Sequence, residues 1–154
     1  MTTIAVRRHR PVAVSVTVAV LWFLGVTAFG GGLAMMLGYT PPAAWLDGIP
    51  VVTNWVVPGL VLGLGFGLGS LVTGFGVLRR PHVAWLGFAE RLTGHHWSWS
   101  ATILIGLGHI AWIALELVYL PELSVLQAVY GPIGVALAGL PLLPSVRGYL
   151  RAPR

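Results

Sequence analysis

The stretch Trp55–Pro81, WVVPGLVLGLGFGLGSLVTGFGVLRRP, decides the fold. It carries no charged residue before Arg79 and Arg80. A run of about 20 apolar residues, rising about 1.5 Å per residue, is long enough to cross a hydrocarbon core about 30 Å thick. Lipid offers the backbone no hydrogen-bond partner, so a run of this kind must satisfy itself as a helix. Pro58 fits the first turn, where a missing N–H costs little. The helix is expected over about 55–78 and to stop at the paired arginines and Pro81.

The same pattern recurs to either side. Apolar runs predict helices over about 12–38, 99–120 and 123–144, and residues 1–154 form a single membrane domain. The fold class is therefore all-α: an integral membrane four-helix bundle of two antiparallel hairpins. Gly30-Gly31-Gly32 is a weak point at which the first helix is expected to loosen. A cleaved signal peptide is the competing reading of the first run. Its apolar core is longer than an h-region of about 7–15 residues, no Ala-x-Ala site follows, and Arg7-Arg8 lacks a twin-arginine context. A retained helix is expected.

Composition agrees. Of 154 residues, 56% are hydrophobic and 8% charged, with mean hydropathy +0.86. Soluble domains carry about 25% charged residues, so too few remain here to coat a water-facing surface. All nine basic residues are arginines, which with the abundant Ala, Val and Gly suggests a GC-rich bacterial genome. They fall into three clusters: Arg7, Arg8 and Arg10; Arg79, Arg80 and Arg91; Arg147, Arg151 and Arg154. The two remaining loops hold none and carry Asp47 and Glu122. The positive-inside rule places both termini and the middle loop in the cytoplasm of a bacterial inner membrane. The net charge of +5 marks topology, and no nucleic-acid partner is expected because no basic helix or aromatic platform accompanies it. Tyr39, Trp45, Trp55, Trp97 and Trp99 lie near helix ends, where interfacial aromatics belong.

Two loops have content. His82–Thr93 puts Val83, Trp85, Leu86, Phe88, Ala89 and Leu92 on one apolar face, which predicts a short interfacial helix in the cytoplasmic loop over about 82–93, started by Pro81 and stopped by Gly94. The outer loop, with Pro41, Pro42, Asp47-Gly48 and Pro50, reads as turns folding over the helix ends.

Gly59, Gly63 and Gly67 share a four-residue spacing in the second helix, as do Gly65 and Gly69. Small residues at that spacing let helices approach closely in lipid. A dinucleotide-binding reading fails for lack of the third glycine spacing, a preceding strand and a later acid. The partner helix is either internal or in another subunit. Besides the lipid bilayer, the expected partners are a second copy in a homo-oligomer or other membrane subunits.

The third helix carries His109 and Glu116 at membrane depth, on one face and about 10 Å apart along the axis, with Trp112 between them. Ionisable groups there are functional candidates by default. Folding the third helix back on the fourth at Pro121-Glu122 puts Gln127 at the depth of Glu116, Ser124 near Tyr119 and Gly134 near His109. A Glu116–Gln127 hydrogen bond is expected, joined by Tyr119 or Tyr130. Pro132 and Pro141 would kink the fourth helix and free carbonyls that need partners.

Other chemistry finds little footing. No metal site is assigned: His82, His95 and His96, with Glu90, make no four-ligand set, and a haem would need a second histidine at the depth of His109. Without cysteine there is no thiol chemistry. Ser70, Ser98 and Ser100 have no His/Asp partner at matching depth, so no catalytic residue and no cofactor is assigned and enzymatic activity is not expected.

Trp55-Val56-Val57-Pro58-Gly59-Leu60, Arg79-Arg80-Pro81 and the hairpin Glu116–Gly131 with Gln127 and Tyr130 resemble small four-helix membrane proteins of actinobacteria whose activity is not established. The resemblance spans most of the chain. It implies the topology and the bacterial origin, and assigns no site. A structural or accessory role in a membrane complex or homo-oligomer is the first expectation. A small transporter or channel using Glu116 and His109 is the alternative: it requires a cavity lined by those residues, where a packing subunit requires a tight, dry core.

Overall fold

A computed structural model describes residues 10–47, 49, 52–120, 122 and 124–152. Arg7, Arg8, Arg154, Gly48, Pro50 and the turn residue Pro121 lie outside the described residues. The described chain is helical, and four helices are long and apolar enough to cross a membrane: α1 Val12–Met36, α2 Val56–Arg79, α4 Trp97–Tyr119 and a fourth span, Val125–Leu142. The fourth consists of α5, Val125–Gly139, and a 3-10 turn, Leu140–Leu142. Two short helices complete the fold, α3 Gly87–Thr93 and α6 Pro144–Tyr149.

Helix α1 runs unbroken through Gly30-Gly31-Gly32, where loosening was expected. The cause is tertiary. Gly32 is buried against the backbone of α2, and a Cβ there would fall on Gly59 O and on Gly63 N and Cα. Lower down, Gly67 meets Phe29, Gly25 meets Leu71, and Gly74 meets the Trp22 indole. The α1–α2 seam is thus built on glycine, with backbone against backbone at Gly32, Gly59 and Gly67 and side chains seated on Gly25 and Gly74.

Helix α2 does not stay α throughout. Asn54 Oδ1 accepts the Val56 N–H at 3.0 Å. From Val61 to Leu68 the helix widens into π geometry, and the Gly69 N–H donates to Leu64 O. Gly63, Gly65 and Gly67 lie in this stretch; the weak α preference of glycine lowers the cost of leaving it. The helix ends at Arg80 in the left-handed region, φ 49°.

The short helix expected over 82–93 begins later than 82. A 3-10 turn covers Ala84–Leu86 and α3 follows, closed by Gly94 at φ 68°. Trp85, Phe88 and Leu92 are exposed on it.

The last helix is shorter than the 123–144 expected. It passes through Pro132 but ends at Gly139, and Pro144 opens α6 as a separate element. Pro141 O, freed by the break, accepts from Trp99 Nε1 at 2.8 Å. The chain then folds back. The His96 N–H donates to Leu150 O at 2.7 Å and the Ala152 N–H to Gly94 O at 3.1 Å. Arg80 donates to Tyr149 O at 3.1 Å, with its guanidinium 4.7 Å above the Tyr149 ring.

The filled core lies toward this arginine-rich end. Val14, Val18, Leu21, Val77, Leu137, Val146 and Leu150 are buried together there. The opposite half of the bundle is built differently.

Candidate functional site

In that opposite half the helices line a cavity of about 670 Å³. Met35 of α1, Val57, Val61 and Leu62 of α2, Ile113 of α4 and Leu126 of α5 form much of its apolar wall. The α1–α2 loop closes over it with Pro41, Trp45, Ile49 and Val52. A site of about 300–1,000 Å³, mostly apolar with a few convergent polar groups, is the usual form of a small-molecule pocket.

The polar groups come from α4 and α5. Gln127 Nε2 donates to Glu116 Oε2 at 3.0 Å, and Trp112 Nε1 donates to Glu116 Oε1. The amide oxygen of Gln127 accepts from the Ser124 N–H at 2.8 Å and from the Ser124 hydroxyl at 2.7 Å. Since that oxygen is taken by donors, the NH₂ must face Glu116, which settles the orientation of the amide. Ser124 and Gln127 together form a capping box on α5. One side chain therefore closes a helix end and clamps a carboxyl group on the neighbouring helix.

Tyr119 and Tyr130 both line the cavity, but no side-chain hydrogen bond from either reaches Glu116 among the described residues. Tyr130 belongs to the other station. Its ring lies edge-on to His109 at 6.0 Å, and Phe66 lies edge-on at 5.1 Å. His109 is 2% exposed; the Tyr130 backbone approaches its ring, but neither ring nitrogen meets hydrogen-bond geometry within the described protein. The indole N–H of Trp55, also in the wall, is likewise buried and unpaired.

Gly134 sits against Ile110 and Gly106 O rather than His109, one residue from the register obtained by folding the hairpin at its turn. The α4–α5 seam uses Gly106, whose Cβ would meet Ala138 N and Leu137 C. This glycine went unremarked in the sequence, although Thr102-x-x-x-Gly106 and Gly134-x-x-x-Ala138 carry the small-residue spacing.

Of the glycines at four-residue spacing in α2, Gly59, Gly63 and Gly67 face α1. Gly65 faces open space, and Gly69 meets only Leu64 O of its own helix.

A second concavity, about 530 Å³, opens at the arginine-rich end beside His82, Glu90, Arg91, Thr93, His95 and Arg151. His95 Nδ1 lies 2.7 Å from Thr93 O and its ring stacks on Trp99 at 4.6 Å. His96 bonds Ser98 Oγ at 2.8 Å and Pro81 O at 3.1 Å, and Glu90 lies 3.8 Å away. These histidines tie α3, α4 and the C-terminal segment together. Among the described residues no group of three or more His, Asp or Glu side chains is placed to hold a metal.

The fold defines a small, all-helical protein with four helices able to cross a membrane and an apolar cavity at one end of the bundle. Compared with known families, curated proteins and solved structures, the chain has no match.

Proposed function

We propose that this protein binds a small, mostly apolar molecule within the bilayer and acts as a carrier or receptor for it, with Glu116 and His109 as the polar groups of the site. The observation that carries this reading is the cavity of about 670 Å³ lined by both residues. A subunit whose role is packing would fill that volume. The topology belongs to the same proposal: a multi-pass protein of a bacterial inner membrane, kin to the small actinobacterial proteins it resembles, with both termini cytoplasmic. The order of contacts supports two antiparallel hairpins, since Gly25 meets Leu71 while Gly32 meets Gly59 and Gly63. Gly106 against Ala138 and Glu116 against Gln127 repeat that order in α4 and α5.

Gly31 supplies the test. It lines the cavity, and a Cβ there meets only Leu62 Cδ2, at 3.4 Å. Gly31→Phe would place a ring in the cavity, whereas Gly30→Phe would point into open space. Native mass analysis of the protein released from nanodiscs should show a bound small molecule in wild type and Gly30→Phe, and none in Gly31→Phe. Equal occupancy in all three would overturn the reading.

A structural role in a homo-oligomer or larger complex has one observation in its favour. Gly65 and Gly69 lie on a face of α2 beside the exposed Leu64, Leu68 and Val72, where another helix could approach closely. Gly65→Ile should weaken cross-linking between copies if that face is used.

A further inference from the structure

We infer that the ligand of this cavity is a lipophilic cation, its charge held against Glu116 and its body among the aromatic rings of the wall. The inference rests on the binding function proposed above and names the chemistry of the ligand.

Among the described residues, Glu116 is the only Asp, Glu, Lys or Arg side chain in the cavity wall, and no described arginine lines it. The described arginines lie at the opposite end of the bundle, and the one carboxylate–base contact among the described residues joins Glu90 to His96. A carboxyl group in an apolar wall, with no described Lys or Arg side chain to pair with, is complementary to a positive charge brought by something else.

The group is also aimed. Trp112 and Gln127 donate one hydrogen bond to each oxygen. A carboxylate oxygen can accept a second. Two donors from two helices fix the plane of the carboxyl and leave acceptor capacity where Glu116 lines the cavity. The wall of the same cavity carries the rings of Trp45, Trp55, Tyr119 and Tyr130. Aromatic faces attract cations, most strongly where water is excluded.

His109 lines the same cavity, about 10 Å along α4 from Glu116. Its ring nitrogens are buried away from the cavity space, so it adds wall there and no second charge, and Glu116 stays the one group that selects for a cation.

The probe is tetraphenylphosphonium, compared with neutral triphenylphosphine oxide, each measured by equilibrium dialysis against the full chain in phosphatidylcholine nanodiscs. Zwitterionic lipid removes electrostatic accumulation of the cation, and protein-free nanodiscs give the unsaturable uptake by lipid that is subtracted. The expected result is saturable binding of the cation, one per chain, and at least about ten-fold weaker binding of the neutral compound. Charge pairing at reduced dielectric is worth that much or more. Glu116→Gln should lose the preference for the cation, Glu116→Asp should keep it, and Gly31→Phe should abolish binding of both. If the two compounds bind equally and Glu116→Gln changes nothing, the cation inference is overturned while the cavity reading stands. If neither binds wild type, or binding survives Gly31→Phe, both are overturned. Should Glu116→Gln fail to fold, the comparison of charged and neutral probes on wild type decides the matter.

Discussion

Two neighbouring glycines of α1 should respond oppositely to the same substitution. Gly30 and Gly32 both sit inside a continuous helix. Replacing either by alanine removes the helix penalty of glycine, about 1 kcal/mol. At Gly30 nothing lies within 4 Å of the new Cβ, so Gly30→Ala should be neutral or stabilising by up to that amount. At Gly32 the Cβ would fall on Gly59 O, Gly63 N and Gly63 Cα. All are backbone atoms, so no side chain can swing aside, and α1 and α2 must move apart along the seam. Overpacking a close contact costs about 1–3 kcal/mol. Since both variants share the propensity gain, the difference between them isolates that cost. Reversible unfolding in mixed detergent micelles, followed by tryptophan fluorescence, should rank Gly30→Ala above Gly32→Ala by about 1–3 kcal/mol. Equal stability would refute a glycine seam between these helices.

Three other outcomes follow. Alanine substitutions at Glu116 and Gln127, alone and together, should couple by roughly 1 kcal/mol in the same unfolding assay, and strict additivity would mean the clamp contributes nothing. Arg80→Ala removes the hydrogen bond and cation–π contact to Tyr149 and should raise hydrogen exchange over 144–152 without altering α5; unchanged exchange would show that the C-terminal segment is held by other contacts. The chain has no cysteine, so single cysteines report topology directly: Asp47→Cys should react with an impermeant maleimide from outside the cell and Arg147→Cys only after lysis, and the reverse pattern would invert the proposed orientation.

Much of the site was legible before the structure. Glu116 lies seven positions after His109, which puts both on one helix face by periodicity alone, and folding the chain at Pro121-Glu122 brings Gln127 to Glu116. The hydrogen bond from Trp112, four residues before Glu116, follows from the same spacing. The capping box Ser124-x-x-Gln127 is equally legible from its spacing. Tyr130 was paired with the wrong station, because depth along a helix does not say which way a ring turns.

The sequence by itself determined the number of apolar helices, their approximate limits and the ionisable groups they carry, because hydrophobic length and charge placement are properties of single segments. Only the tertiary structure decided which glycines face a neighbour, that α1 stays helical through Gly30-Gly31-Gly32, and that the C-terminal segment returns to Gly94 and His96. Those depend on contacts between segments distant in the chain. The cavity belongs to the same class. Its wall comes from four helices and a loop, and whether their side chains meet or leave about 670 Å³ between them is a property of the packed bundle that no segment carries alone.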